Sequence, residues 1–79
     1  MKYVVTLPYL GEETEEKAII SRWLVEVGDV VAEGGDLLEL TTDKAAFTAP
    51  SPRSGTLVEK MVHEDDAVAV GDGLCVLDV

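Results

Sequence analysis

Few side chains in this sequence could do chemistry. The chain has one histidine, His63, and one cysteine, Cys75. A single histidine lacks the partners of a metal site or a catalytic triad, and the acidic residues 64–66 beside it lack the spacing of a calcium loop. Cys75 lies in the apolar run "GLCVLDV", which is typical of a buried small hydrophobe. We therefore predict no catalytic residue and no metal site.

Lys44 in "TTDKAAF" is the remaining candidate, because the surrounding residues predict a tight hairpin with the lysine at its tip. Asp43 favours a turn, since its side chain can hydrogen-bond to the backbone. A lysine at such a tip is a flexible amine in water, and lysine is the usual residue for amide-forming modification. On position alone, an ordinary solvated lysine that hinders edge pairing is the favoured explanation.

The composition allows one small acidic domain. The chain has 79 residues, and its 16 acidic residues against 6 Lys and Arg give a net charge of −10. This charge argues against binding to nucleic acid or to an anionic membrane surface. We find no signal peptide and no membrane-spanning run. A single cysteine excludes an internal disulfide, so we expect a cytoplasmic domain, or a mitochondrial matrix domain in a eukaryote.

Short runs of Val, Leu and Ile, separated by Gly, Pro, Asp and Ser, predict an all-β sandwich or barrel. The segment "EETEEKAIISRWL" could form a helix, but its apolar residues cluster at one end and the repeat described below favours a strand. The predicted strands are Tyr3–Leu7, Ala18–Val25, Val30–Val31, Asp36–Thr41, Ala46–Ala49, Gly55–Val62, Ala67–Val68 and Gly73–Val79.

The strands belong to an internal repeat. A shift of 37 residues (65 minus 28) overlays "GDVVAEGGDLLEL" (Gly28–Leu40) on "DDAVAVGDGLCVL" (Asp65–Leu77) without a gap. Two similar halves predict a pseudo-twofold sandwich in which each half completes the core of the other. The repeat also assigns a turn role to the acidic residues 64–66. The first half continues into the Lys44 turn, whereas the second stops, so this turn and the chain terminus should occupy equivalent places.

The whole chain resembles a lipoyl domain, the swinging-arm module of 2-oxo acid dehydrogenase complexes. The matching segments, in order, are "LPYLGEE", "ISRWLVEVGDVV", "GDLLELTTDKAAFTAPSPRSGTL" and "DAVAVGDGLCVLDV". The resemblance implies a flattened barrel of two antiparallel four-stranded sheets, with lipoic acid attached to Lys44 and the termini at the other end. The core candidates are Ile20, Trp23, Leu24, Val31, Leu37, Leu40, Leu57, Val68, Leu74 and Leu77.

The resemblance implies a carrier that has no catalytic group of its own. Its lipoyl group would be reductively acylated by the 2-oxo acid dehydrogenase (E1), deliver the acyl group to coenzyme A at the acyltransferase (E2) core, and be reoxidised by dihydrolipoamide dehydrogenase (E3). A covalent arm raises the effective concentration of the cofactor at each site. A lipoate ligase or lipoyl transferase would attach the group. Residues 1–79 would form one carrier domain, which we expect to belong to a larger acyltransferase.

The resemblance also implies that the ligase recognises the residues around Lys44. Asp43 and Ala45 match the family motif on either side of the lysine. Thr41 departs from it, because many members carry glutamate three residues before the lysine.

The resemblance implies that the acidic loop "GEETEEK" lies near the hairpin. It also implies that this loop helps the dehydrogenase component to recognise its lipoyl domain. The loop also departs from the family, whose members often show "GEG" followed by a second glycine. The candidate recognition residues in the loop are Gly11, Glu12, Glu13 and Glu15.

Three other kinds of carrier or adaptor share features with a lipoyl domain. A biotinyl carrier domain has the same fold and a hairpin lysine, but its motif places methionine on both sides of the lysine, where this chain has Asp43 and Ala45. A glycine-cleavage carrier is longer. A cofactor-free adaptor of lipoyl-like fold usually lacks the lysine. A free-standing enzyme fits least, because the sequence holds no catalytic constellation.

Overall fold

The computed structural model describes residues 1–7, 18–42 and 45–79. The strands in these ranges are β1 (Lys2–Thr6), β2 (Ala18–Trp23), β3 (Val30–Val31), β4 (Asp36–Thr41), β5 (Ala46–Pro50), β6 (Gly55–Lys60), β7 (Ala67–Val68) and β8 (Gly73–Asp78). They form two antiparallel four-stranded sheets, with strand orders β1-β8-β6-β3 and β5-β4-β2-β7. The predicted all-β fold class is confirmed. None of the described residues belongs to a helix that could cross a membrane.

The predicted repeat is confirmed by the strand bounds. β6, β7 and β8 begin at residues 55, 67 and 73, which is 37 residues after the starts of β2, β3 and β4 at 18, 30 and 36. The pairing register repeats too, because Ile20 pairs with Leu40 as Leu57 pairs with Leu77, and a bulge follows in both pairs. β5 lies beside β4 as β1 lies beside β8, which completes the pseudo-twofold relation.

Residues from both sheets form the core, and eight of the ten predicted core residues are buried. These eight are Ile20, Val31, Leu37, Leu40, Leu57, Val68, Leu74 and Leu77. Trp23 is partly buried and packs against this core. Leu24 is only partly buried, and its assignment to the core was wrong. The strand β2 ends at Trp23, and Leu24 therefore lies beyond the alternation that directs side chains inward. Sequence reasoning did not name Val5, Leu7, Ala18, Leu38 and Ala49, which are also buried.

Trp23 and Lys60 occupy equivalent places in the two halves (60 minus 23 is 37) and contact each other. The Lys60 Nζ lies 5.1 Å from the centroid of the Trp23 ring, and the Trp23 Nε1 donates to the carbonyl of Val62 at 3.0 Å. Contact between equivalent residues marks the pseudo-twofold axis. Because β2 and β6 both end at this axis, their beginnings lie on opposite sides of it.

The turns that precede β3 and β7 are built alike. Gly28 has a φ of 100° and Asp65, its equivalent, has a φ of 76°. The carboxylate of Asp66 accepts the N–H of His63 at 2.8 Å, and Asp29 makes the corresponding bond in the other half at 2.9 Å. The N–H of Asp66 also donates to the carbonyl of His63 at 3.0 Å, which closes a turn over residues 63–66. The turn role predicted for the acidic residues 64–66 is therefore confirmed.

Cys75 is fully buried, as the sequence predicts. Burial raises the pKa of its thiol to about 11. At neutral pH the side chain is therefore a neutral thiol, which is a poor nucleophile and metal ligand.

Candidate functional site

The candidate site is the connection between β4 and β5. Thr42 follows β4, Ala45 precedes β5, and residues 43 and 44 join them in the sequence. The N–H of Thr42 donates to the carbonyl of Ala45 at 2.8 Å, so the two strands remain paired up to this point. Asp43 and Lys44 lie outside the described residues, and the assignment of Lys44 as the attachment site stays a prediction.

The side chain of Thr42 also takes part in this closure. Its Oγ1 accepts the N–H of Ala45 at 3.2 Å and lies 3.3 Å from the Ala45 carbonyl, to which it can donate. Short connections of two residues are the usual ones between antiparallel strands. Sequence reasoning did not name Thr42. The signal that could have found it is the tendency of Ser and Thr hydroxyls to bond to the backbone of neighbouring residues in turns.

The same closure exists where the chain begins and ends. Val79 is the equivalent of Thr42 (42 plus 37), and its N–H donates to the carbonyl of Met1 at 2.8 Å. The predicted equivalence of the Lys44 turn and the chain terminus is thus confirmed for the residues that flank them. The two closures lie beside the beginnings of β2 and β6, because Thr41 pairs with Ile19 as Asp78 pairs with Thr56. They therefore lie on opposite sides of the pseudo-twofold axis.

The described candidates differ in exposure. Ala45 is exposed, and Thr41 is half-buried at the end of β4. The acidic-loop candidates, which are Gly11, Glu12, Glu13 and Glu15, lie outside the described residues. Their proximity to the hairpin stays a prediction.

A shallow cleft of about 140 Å³ adjoins the hairpin on the face of its sheet. Thr41, Ala46, Phe47 and Thr48 contribute to its lining. Glu39, which pairs with Arg22, also lines the cleft, so a carboxylate and uncharged side chains form this surface beside the lysine turn.

A larger cleft of about 490 Å³ lies at the pseudo-twofold axis, where Trp23, Glu26, Lys60 and His63 line it. Lys60 forms an ion pair with Glu26, with 3.4 Å between Nζ and Oε1, and His63 is exposed. Within the described ranges, no group of three or more His, Cys, Asp or Glu side chains is arranged to hold a metal ion.

The sequence matches the biotin/lipoyl family model, described as "Biotin-requiring enzyme", over residues 3–77. It is 48% identical over 67 residues to the dihydrolipoyllysine-residue acetyltransferase component of the pyruvate dehydrogenase complex of Corynebacterium glutamicum, a match that covers 85% of this chain and 10% of that protein. The corresponding component from Staphylococcus aureus is 38% identical over 78 residues, covering 99% of this chain and 18% of that protein. The chain thus spans less than a fifth of the length of these relatives.

Two solved structures share the fold. Urea carboxylase from Kluyveromyces lactis superposes with a TM-score of 0.81 at 18% identity, covering 99% of this chain and 6% of that one. The lipoyl domain of the 2-oxoglutarate dehydrogenase complex from Azotobacter vinelandii superposes with a TM-score of 0.73 at 21% identity, covering 96% and 95% of the two chains.

Proposed function

This chain belongs to the biotin/lipoyl attachment family, and from that premise we propose that it is the lipoyl carrier domain of a 2-oxo acid dehydrogenase acyltransferase (E2), with lipoic acid attached to Lys44. One observation carries the proposal. The similarity to pyruvate dehydrogenase acetyltransferase components extends along almost the whole chain. It includes the segment that holds Lys44.

The residues beside the lysine support lipoic acid over biotin. Asp43 and Ala45 flank Lys44, where a biotinyl carrier would have methionines. The likeness to urea carboxylase concerns the fold, since only 18% of the residues are identical. A biotinyl carrier is nevertheless the alternative that an experiment has to separate, because both cofactors bond to a lysine amine.

The attachment reaction needs an exposed amine and an activated acid. The neutral Nζ of Lys44 attacks the carbonyl carbon of activated lipoate, the new C–N bond replaces the bond to the leaving group, and the nitrogen loses a proton. The amide that forms has no charge. The closure by Thr42 and Ala45 contributes by fixing where the chain leaves and re-enters the sheet.

When bound, lipoic acid supplies a disulfide ring that can be reduced and can carry an acyl group as a thioester. The proposed contribution of the protein is presentation, by a packed core and a short connection between β4 and β5. The proposed partners are a lipoate ligase or lipoyl transferase, the dehydrogenase E1, the catalytic core of E2 and dihydrolipoamide dehydrogenase E3. We place the carrier in residues 1–79, and in the cytoplasm or the mitochondrial matrix.

The charge of the domain supports recognition by basic surfaces. The net charge is −10, and in the described part of the chain several basic side chains are already paired with acids. Arg22 lies 3.3 Å from Glu39, and Lys60 lies 3.4 Å from Glu26. The surface therefore presents an excess of carboxylates, which would steer partners with a basic docking face.

The test is the intact mass of the protein after incubation with lipoate ligase, lipoate and ATP, followed by peptide mapping. We expect one lipoyl increment on the peptide that holds Lys44, and none in Lys44→Arg. Lys2→Arg is the matched control, because it keeps the charge and removes another exposed amine. A biotin increment under biotinylating conditions, without a lipoyl increment, would move the chain to the biotinyl carriers. Failure of both would favour a cofactor-free adaptor.

A further inference from the structure

Among the described residues, the closures at the hairpin and at the termini use different acceptors for one of their hydrogen bonds. At the termini, two main-chain bonds close the strand pair: the N–H of Val79 donates to the Met1 carbonyl at 2.8 Å, and the Met1 nitrogen donates to the Val79 carbonyl at 3.2 Å. At the hairpin, the first bond is the same, from Thr42 to Ala45 at 2.8 Å. The second N–H, that of Ala45, donates instead to the Thr42 side chain, at 3.2 Å.

The hydroxyl of Thr42 therefore takes the acceptor place that a main-chain carbonyl holds at the termini. Val79, the equivalent residue, has no hydroxyl and cannot do this. The strands at the termini pair with the same register, so the fold does not require the hydroxyl. What the hydroxyl does is hold the N–H of Ala45, the residue that follows Lys44 in the sequence.

We propose that Thr42 is a positioning residue for the modification of Lys44. Its hydroxyl holds the N–H of Ala45, and so fixes the two residues that flank the connection in the arrangement that the ligase reads. This inference rests on the proposed function, because it needs Lys44 to be the residue that is modified.

A reacting amine held in place reacts faster than one that samples many positions, because less conformational entropy is lost on reaching the transition state. An exposed hydrogen bond of this kind supplies a modest part of that order. Losing it should lower kcat/KM for lipoylation by about three- to tenfold. The melting temperature should barely change, since the main-chain bond between Thr42 and Ala45 remains.

The experiment compares the rate of lipoylation of four proteins by intact mass: the unaltered protein, Thr42→Val, Thr42→Ser and Thr48→Val. Valine keeps the branched shape of threonine and removes the hydroxyl, while serine restores it. Thr48 is an exposed threonine of β5 outside the turn, and its change to valine controls for loss of a surface hydroxyl. We expect a slower reaction for Thr42→Val alone, with faster hydrogen exchange at the Ala45 amide and an unchanged melting temperature.

The outcomes separate this inference from the proposed function. Lipoylation of the unaltered protein and of Thr42→Val at equal rates would overturn the role of Thr42 and leave the carrier function intact. Equal slowing of Thr42→Val and Thr42→Ser would also overturn it, because serine keeps the hydroxyl. If the unaltered protein takes up no lipoyl group at Lys44, the proposed function fails and this inference fails with it.

Discussion

The hairpin end and the terminal end of the barrel hold the same strand pair in two different ways. Between β4 and β5 the chain continues through residues 43 and 44, whereas β8 and β1 pair in the same register although Met1 and Val79 are 78 residues apart in the sequence. The pairing of these strands therefore does not depend on a short connection between them. The two residues of the hairpin are not needed to hold the strands together, and their identities are free to serve recognition and chemistry.

The two ends also differ in charge. The terminal end carries the N-terminal ammonium, Lys2 and Asp78, and the ammonium lies 3.0 Å from the carboxylate of Asp78. The residue equivalent to Asp78 at the hairpin is Thr41, and Ala46 is the equivalent of Lys2, so both places are uncharged there. One end thus uses ionic contacts beside its main-chain bonds, and the other uses a threonine hydroxyl. This contrast can be tested by making one end resemble the other.

The largest effect on stability is expected from substitutions in the core, where the two halves are most alike. Leu40 and Leu77 are equivalent and both are fully buried. Truncation of either to alanine should lower the free energy of unfolding by about 2–5 kcal/mol, because each leaves a cavity in a shared core. Denaturant unfolding of the two variants measures this. Val30→Ala is the control, since Val30 is 83% exposed. A large loss for one leucine and none for the other would show that the halves do not share one core equally.

Joining the termini covalently should have the next largest effect on the free energy of unfolding. A backbone-cyclised chain with a two-residue linker from Val79 to Met1 would reproduce the hairpin connection, since both closures share the 2.8 Å bond. We expect it to be more stable by about 2–4 kcal/mol, because cyclisation restricts the unfolded chain. The comparison is with direct fusion of the termini, which leaves no residues for a turn and should gain less. Equal melting temperatures of the two cyclic forms would argue against equivalent geometry at the two ends.

Much of this architecture is predictable from sequence, because the same pattern occurs twice. Glycine and acidic turns at a fixed spacing limit where each strand can begin and end, and the bounds of β3, β4 and β7 agree with the prediction. A single pattern of apolar residues would have left "EETEEKAIISRWL" open to a helix. The second copy, which contains "SGTLVEKMV" at the equivalent place, favours a strand.

The rest depends on geometry that the pattern does not contain. Whether a threonine hydroxyl bonds to the backbone depends on the shape of its turn. Thr41 and Thr42 are the same amino acid, so the sequence does not indicate which of them makes this bond. The bulge after Ile20 shifts the register so that Arg22 pairs with Glu39. That ion pair follows from the bulge and cannot be read from alternation alone. Partial burial of Trp23 likewise depends on where β2 ends.

A smaller effect on stability is expected from changing the residue with positive φ in each of the two equivalent turns. Gly28 has a φ of 100°, and a Cβ built there would meet no atom within 4 Å. Gly28→Asn should therefore cost about 1–2 kcal/mol through backbone strain alone. Asp65→Gly, at a φ of 76°, should change stability by less than about 1 kcal/mol, since relief of strain is offset by a more flexible unfolded chain. Denaturant midpoints measure both changes. A costlier Asp65→Gly than Gly28→Asn would show that the Asp65 side chain, and not its backbone, supports the turn.

The smallest effect concerns the charges of the terminal end. The hydrogen bond from the N-terminal ammonium, followed by the charge of Lys2, holds the pKa of Asp78 below its usual range. The folded chain therefore binds this proton more weakly than the unfolded chain does. The resulting stabilisation is present above the ordinary aspartate pKa of about 3.9 and is lost as the pH falls through the lowered value. Asp78 is exposed to water, so the contribution should be small and screened by salt.

Asp78→Thr makes this position like Thr41 at the hairpin end and removes the charge. We expect the variant to melt slightly below the unaltered protein near neutral pH, and the gap to close in acid or at high salt. Melting temperatures at several pH values, at low and high ionic strength, measure this. A gap that persists in acid would mean that Asp78 acts through packing or main-chain pairing. In that case the two ends would differ in shape as well as in charge. The terminal end would then say less about which residues the hairpin requires for its structure.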